Sequence, residues 1–419
     1  MSTTSEFARS SYSSVDEEAE RLLTDRSQVP EPWALYAQLR ESEPIKKVFG
    51  MTLVTRHDHV NKLYRDQRLS RHQAAIRESE AHSGAAQDNP LMAEARVANI
   101  SMLINQDEPA HRRIRRLLDE TFRPKAVAAW LPRVQEITDE LIAAVGDRTE
   151  FDLMEALAYP LPEAVICDLM QVPREDHALW GGWIQTVVAA ARNVEPTPEV
   201  RRAVVEAHVG FLEYFRALVA RRRENPGSDL VSDLIRAEDE GDQLSELELL
   251  GTLQMLIAAG SETTSNLIGN AMLCLMHHPE QAEKLREDLS LMPGAVEEFL
   301  RLGTPSDWAL PRVALEDIDL GDGHVVEKGS VVLLSIGSAN RDPRVFTDPE
   351  RLDITRSENR HISFAAGPHF CLGALLARRE ASAMIGAILT RWPTLELVEE
   401  PTYRPTYVRA LKELNVRVR

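Results

Sequence analysis

From Leu244 to His278 the chain reads LSELELLGTLQMLIAAGSETTSNLIGNAMLCLMHH, apolar on most faces of a helix on the order of ten turns long. A helix with so few polar positions must cross the interior of its protein. Helical periodicity dominates from about 108 to 302. Upstream, the pattern predicts a helix near 33–42, a hairpin over KKVFGMTLVT and a helix over 57–66. Residues 67–105 are polar without clear period and predict an irregular stretch long enough to be functional. Between 306 and 337 the period changes to short strands, RVALEDIDL and HVVEKGSVVLLS, with glycine turns. A loop-rich segment over 339–370 leads to a last long helix at 371–390, and the tail predicts one more small sheet. No linker, repeat or low-complexity tract divides the chain. The expectation is one mainly α domain with small β-sheets over 30–419, behind a polar, partly flexible segment 1–29.

Composition narrows the function. With 419 residues, 43% hydrophobic and 27% charged, the chain has the makeup of a globular protein. A formal charge of -18 excludes phosphate-backbone recognition, so no nucleic-acid partner is expected. No uninterrupted apolar run suits a membrane span, and the polar N-terminus lacks a signal-like core. A cytoplasmic monomer with no membrane contact is expected. The three cysteines are too few and of the wrong parity for a disulfide framework. Cys167 in AVICDLM and Cys274 in NAMLCLM have the surroundings of small core residues. Cys371, among glycines, a proline and a histidine, does not.

Cys371 lies where a loop turns into a helix, in Phe364-Ala-Ala-Gly367-Pro-His369-Phe-Cys371-Leu-Gly373. Free N–H groups and the helix dipole there favour a thiolate. Gly367 and Gly373 leave room for something bulky and flat. A thiolate so placed suits an iron that must cleave O–O bonds. The stretch resembles the haem-binding loop of the cytochrome P-450 family, soluble bacterial type, whose pattern is Phe-Gly-x-Gly-x-His-x-Cys-x-Gly. Ala365 departs from it at the first glycine.

Inside the long helix, Ala259-Gly260-Ser261-Glu262-Thr263-Thr264 sets an acid beside hydroxyls. A glycine and a hydroxyl competing for a carbonyl predict a locally opened helix with a groove beside the iron. The segment is similar to the family's oxygen-activation motif. By that resemblance Glu262 and Thr263 form a catalytic proton relay, Ala259 and Gly260 adjoin the cofactor, and Thr264 is structural. Glu298 and Arg301, three apart on one helix face, match the family's Glu-x-x-Arg; the resemblance implies a buried network completed by Arg351, with Leu352 where the family more often has phenylalanine.

His111 and Arg115 share a helix face and are similar to the family's His-x-x-x-Arg, which implies that they bind a propionate of haem b; Arg312 and His369 match the remaining propionate contacts. Arg112, Arg113, Arg116, Arg123 and Lys125 form a basic island on an acidic chain. With Arg378 or Arg379, the resemblance implies a docking face for an acidic iron–sulfur ferredoxin fed by its reductase.

The resemblance covers the chain from about residue 30. It implies a triangular-prism fold with the haem between the long central helix and the helix of the cysteine ligand. It also implies a monooxygenase that uses O2 on a hydrophobic small molecule, by hydroxylation or epoxidation, with electrons from NAD(P)H. The pocket is expected among parts of 72–104, Trp180–Val187, the helix turn before Glu262 and Trp308–Leu310. A haem-thiolate gas sensor or haem carrier is the non-enzymatic alternative. A peroxide-using relative normally lacks the acid–alcohol pair, and oxidative coupling remains a possible chemistry.

Overall fold

The structure, a computed structural model, describes residues 15–24, 29–81, 90–190, 197–239, 244–404 and 408–419. Helix α1 (Val15–Thr24) buries Ala19 and Leu22 against Leu35, Tyr36 and Leu39 of α2 (Trp33–Ser42). Positions 1–14 of the expected N-terminal segment lie outside the described residues. The hairpin of β1 (Ile45–Val48) and β2 (Met51–Val54) turns at Phe49 and Gly50, both with positive φ, which matches strand twist. Helix α3 (His57–Tyr64) and the short β3 (Leu69–Ser70) follow.

The stretch expected to be irregular contains two helices, α4 (Arg71–Ala81) and α5 (Pro90–Ser101). Their periodicity escapes notice because their buried side chains are mostly alanines. Close backbone packing replaces large apolar residues: a Cβ at Gly251 would sit 2.1 Å from the Ala98 carbonyl oxygen.

Helices α6 (Ala110–Phe122) and α7 (Pro124–Val145), strand β4 (Glu150–Asp152) and helices α8 (Pro160–Leu169), α9 (His177–Ala190), α10 (Pro198–Glu224) and α11 (Leu230–Asp239) surround the central α12 (Glu246–His277). A capping box starts α12: Ser245 Oγ accepts from the Glu248 N–H, and Glu248 accepts from the Ser245 N–H. Most of its length is buried in the main core, as an apolar helix of 32 residues requires. No helix among the described residues is long and apolar enough to cross a membrane.

Beyond α13 (Pro279–Glu287) and α14 (Met292–Leu302) come β5 (Arg312–Ala314), β6 (Ile318–Gly321), β7 (His324–Val326), β8 (Val331–Leu334) and the short α15 (Ile336–Ala339). The larger sheet has the order β1-β2-β8-β5-β3, and β6 pairs with β7. The last helix, α16 (Ala374–Arg391), begins three residues later than its expected start. Strands β9 (Leu395–Leu397) and β10 (Asn415–Val418) join β4 in a three-stranded sheet. The architecture is mainly α with small β-sheets, and the loop before α16 faces the middle of α12 across a cavity.

Candidate active site

A cavity of ≈ 470 Å³ lies between α12 and the loop 364–373. All of the sequence-selected positions His111, Arg115, Ala259, Gly260, Glu262, Thr263, Arg312, Phe364, His369, Cys371 and Gly373 line it. Gly367 does not.

The cysteine loop is built by local bonds. The Cys371 N–H donates to the Phe364 carbonyl at 2.9 Å, closing the loop on itself. Gly367 has φ +70°, and a Cβ there would stand 2.9 Å from the Tyr64 carbonyl oxygen. Packing on α3 therefore requires glycine here, a reason the sequence reading did not include. A Cβ at Gly373 would meet nothing, so that side of the loop is open. Ala365 adopts φ +59°, a left-handed conformation that costs a non-glycine residue about 1 kcal/mol. The loop thus keeps the backbone that glycine would favour.

The thiol environment differs from the simple helix-start argument. Cys371 precedes α16 by three residues, and burial pushes its thiol up. The Gly373 N–H, Arg115 and Arg378 pull in the opposite direction. Burial also pushes Cys167 up to about 12 and Cys274 up to about 11, and neither lines the cavity.

One pole of the cavity gathers basic side chains. The His111 and His369 rings meet at a tilt of 50° with centroids 4.3 Å apart. Burial lowers the His369 pKa to about 2, reinforced by Arg312, His111, Arg71 and Arg115. Burial lowers that of His111 too, against the pull of Glu108. The Arg312 guanidinium is buried over the Tyr64 ring at 5.5 Å. The Tyr64 hydroxyl and Arg71 Nε are buried with no hydrogen-bond partner. These donors around one space favour an anion among them, although Arg71 and Arg115 already have Glu78 and Asp119 as partners. A cofactor bearing carboxylates would fit this pole, and Gly373 and Cys371 line the same cavity. Arg115 differs from expectation in one respect: it donates to the Phe370 carbonyl at 2.6 Å and to Asp119 at 3.2 Å, tying α6 to the cysteine loop. Tyr64 and Arg71 were missed because they belong to no motif; only the fold brings them here. No group of three or more His, Cys, Asp or Glu suited to a metal ion occurs among the described residues.

Opposite the thiol, α12 is unbroken, contrary to the expected opening. Ser261, Thr263 and Ser265 each donate to the carbonyl four residues back, Thr263 to Ala259 at 2.9 Å. A carbonyl oxygen has two lone pairs, so it can take the hydroxyl without releasing its helix bond. Space beside Thr263 comes instead from the small residues Ala258, Ala259 and Gly260. Because its proton is directed to Ala259, the Thr263 oxygen presents acceptor capacity to the cavity. Thr264 is buried.

The roof is apolar, with Met102, Leu103, Met255 and Leu256, and Trp308–Leu310 line the wall as expected. Trp180 is instead buried against Tyr214 and Phe215. Ile184, Gln185 and Val187, from the same expected stretch, lie outside the described side chains.

The Glu298–Arg301 pair is wholly buried, and its second cation is Arg356, not the side chain of Arg351. Arg351 contributes its carbonyl to Arg301. Much of the basic island is paired: Arg112 with Glu108, Arg113 with Glu248 and Arg123 with Glu120. Arg378 is tied to Glu297 and lies over the Phe364 ring, so it supports the cysteine loop from within. Burial raises the Glu297 pKa, but Arg378 and His361 outweigh it and hold the carboxyl at about 2. Arg116, Lys125 and Arg379 are exposed.

The Cytochrome P450 family profile matches residues 66–407. The chain is 36% identical over 380 residues to Cytochrome P450 107B1 of Saccharopolyspora erythraea, covering 87% of this chain and 89% of that one. It is 37% identical over 401 residues to Cytochrome P450 monooxygenase PikC of Streptomyces venezuelae, covering 93% and 91%. Among solved structures, P450BioI in complex with an acyl carrier protein carrying hexadec-9Z-enoic acid matches with TM-score 0.84 and 34% identity, covering 93% of this chain and 99% of that one.

Proposed function

The chain belongs to the cytochrome P450 family, as a haem-thiolate monooxygenase of small molecules, and from that membership we propose which of its own residues do the work. Cys371 would supply the thiolate ligand to the iron of haem b. Arg312, His111, His369 and Arg115, with Tyr64 and Arg71, hold the propionates. Glu262 and Thr263 deliver protons. The observation that carries this reading is the single cavity in which thiol, cation cluster and acid–alcohol pair all meet. Membership in a family of monooxygenases sets aside the sensor or carrier alternative.

When bound, the haem supplies oxygen activation: substrate, O2, two electrons and two protons give an oxygenated product and water. The chain provides the rest. Its apolar roof binds the substrate and excludes water, which strengthens every polar interaction inside. Thr263 accepts a hydrogen bond on the cavity side, fixed in that role by its bond to Ala259. Glu262, next to it on the same wall, supplies the protons. Thr263→Ala is expected to retain haem while diverting most reducing equivalents into hydrogen peroxide, a loss of coupling of about a hundredfold, the low end of general acid–base effects. Product and peroxide per NAD(P)H consumed check this; unchanged coupling refutes the relay.

The electron donor is a ferredoxin with its reductase, in the cytoplasm, and it docks over the cysteine loop. Arg116, Lys125 and Arg379 carry the exposed charge there. Charge reversal at Arg116 and Arg379 is expected to slow the first electron transfer about tenfold at low salt, with the difference closing as salt rises. Stopped-flow reduction at two ionic strengths measures it, and a rate insensitive to both changes excludes this face. The substrate class is a hydrophobic small molecule. P450BioI is seen in complex with an acyl carrier protein carrying hexadec-9Z-enoic acid, and a Bacillus subtilis relative is named for polyketide biosynthesis.

A further inference from the structure

Two of the polar side chains that line the cavity bond to each other. Gln254 on α12 and His208 on α10 both line the cavity, with Gln254 Nε2 2.8 Å from His208 Nδ1. Gln254 is only 6% exposed, so its amide is set within the cavity wall. An amide and an imidazole in such a wall are costly unless they serve as hydrogen-bonding groups. Their mutual bond holds both side chains in place. An amide engaged through one N–H still has a second N–H and an oxygen acceptor.

Position and charge define what such a pair would receive. Gln254 precedes Thr263 by nine residues on one unbroken helix, or about 13 Å of rise. The arginines lining the cavity, Arg71, Arg115 and Arg312, all belong to the opposite pole, where each acts on the field at His369. No lysine lines the cavity among the described residues. The far end therefore offers hydrogen bonds without a permanent cation, which suits an alcohol or ketone better than a carboxylate.

Resting on the monooxygenase reading above, we propose that His208 and Gln254 dock a hydroxyl or keto group of an otherwise apolar substrate and so select the carbon presented at Thr263. The substrate class is an amphipathic alcohol or ketone with its polar group at the end of the molecule remote from the reacting carbon, since the pair and Thr263 lie at different levels of one cavity.

The test uses the haem-loaded protein and calorimetric titration with decan-1-ol, 2-undecanone and decanoate; imidazole binding at the iron serves as control. The wild type is expected to bind alcohol and ketone about tenfold tighter than decanoate, one net hydrogen bond's worth. Gln254→Leu and, should that variant fold poorly, the gentler Gln254→Met and His208→Phe are each expected to lose the preference while imidazole affinity stays at the wild-type value. Decanoate binding best, or variants that keep the preference, overturns the docking pair alone. A chain that takes up neither haem nor imidazole overturns the monooxygenase reading with it.

Discussion

Cys371→Ser is expected to leave a folded protein with turnover reduced at least about 1,000-fold, equivalent to roughly 4 kcal/mol of activation barrier. The substitution keeps size and loop geometry but replaces the polarisable donor that promotes O–O cleavage with a far weaker one. No other cysteine can replace it. Cys167 and Cys274 lie outside the cavity, and burial keeps both protonated at neutral pH. Around Cys371 the balance is different: burial disfavours the thiolate, while the Gly373 N–H, Arg115 and Arg378 favour it. Of these, Arg115 and Arg378 are each anchored to the loop or its neighbours, so they remain in place in the serine variant. Haem content, the Soret position of the reduced carbonmonoxy form and product turnover are the measurements. Retained turnover with the wild-type Soret band would remove Cys371 from its role.

The motifs were legible because their chemistry is local. Cys371 among glycines and Glu262-Thr263 in an apolar helix are anomalies in any window of ten residues, and the fold places them across one cavity. The long central helix was equally legible as an apolar run crossing the interior. Three kinds of feature were not. Helices α4 and α5 bury alanines and pack by close backbone approach, which leaves little hydrophobic period to read. Tyr64 and Arg71 reach the cation pole through the pairing of β3 with β5, a contact some 240 residues distant in sequence. The substitution of Arg356 for Arg351 in the buried network depends on which side of a loop faces inward, and periodicity is silent in loops. Gly367 shows the reverse case: the motif was right, but the reason for the glycine is the Tyr64 carbonyl behind it.

The same loop connects stability to the site, and Glu298→Gln is expected to cost about 3–5 kcal/mol, the range for breaking a buried ion pair. Glu298 is completely buried and accepts from Arg301 Nε and Nη2 at 2.8 Å each, from Arg356 Nε at 3.1 Å, and from the Asp353 N–H and Asn359 Nδ2 at 3.0 Å. Glutamine is isosteric, but its NH2 would face guanidinium donors and leave two cations without a buried counter-charge. Arg301 also donates to the carbonyls of Asn340, Pro349 and Arg351, so one carboxylate organises the whole turn from 340 to 359. From there Asn340 accepts from the Ile362 N–H and donates to Ser363, whose hydroxyl donates to Leu300, and the next residue is Phe364 of the cysteine loop. Loosening the network therefore loosens the ligand loop, and haem release to an acceptor protein should accelerate along with the fall in urea midpoint. An exposed pair supplies the contrast: Glu400→Gln, which breaks the contact with His277, should change stability by less than about 1 kcal/mol. If Glu298→Gln behaved like Glu400→Gln in both measurements, the network would be ornamental and the cysteine loop would have to be held by its own internal bonds.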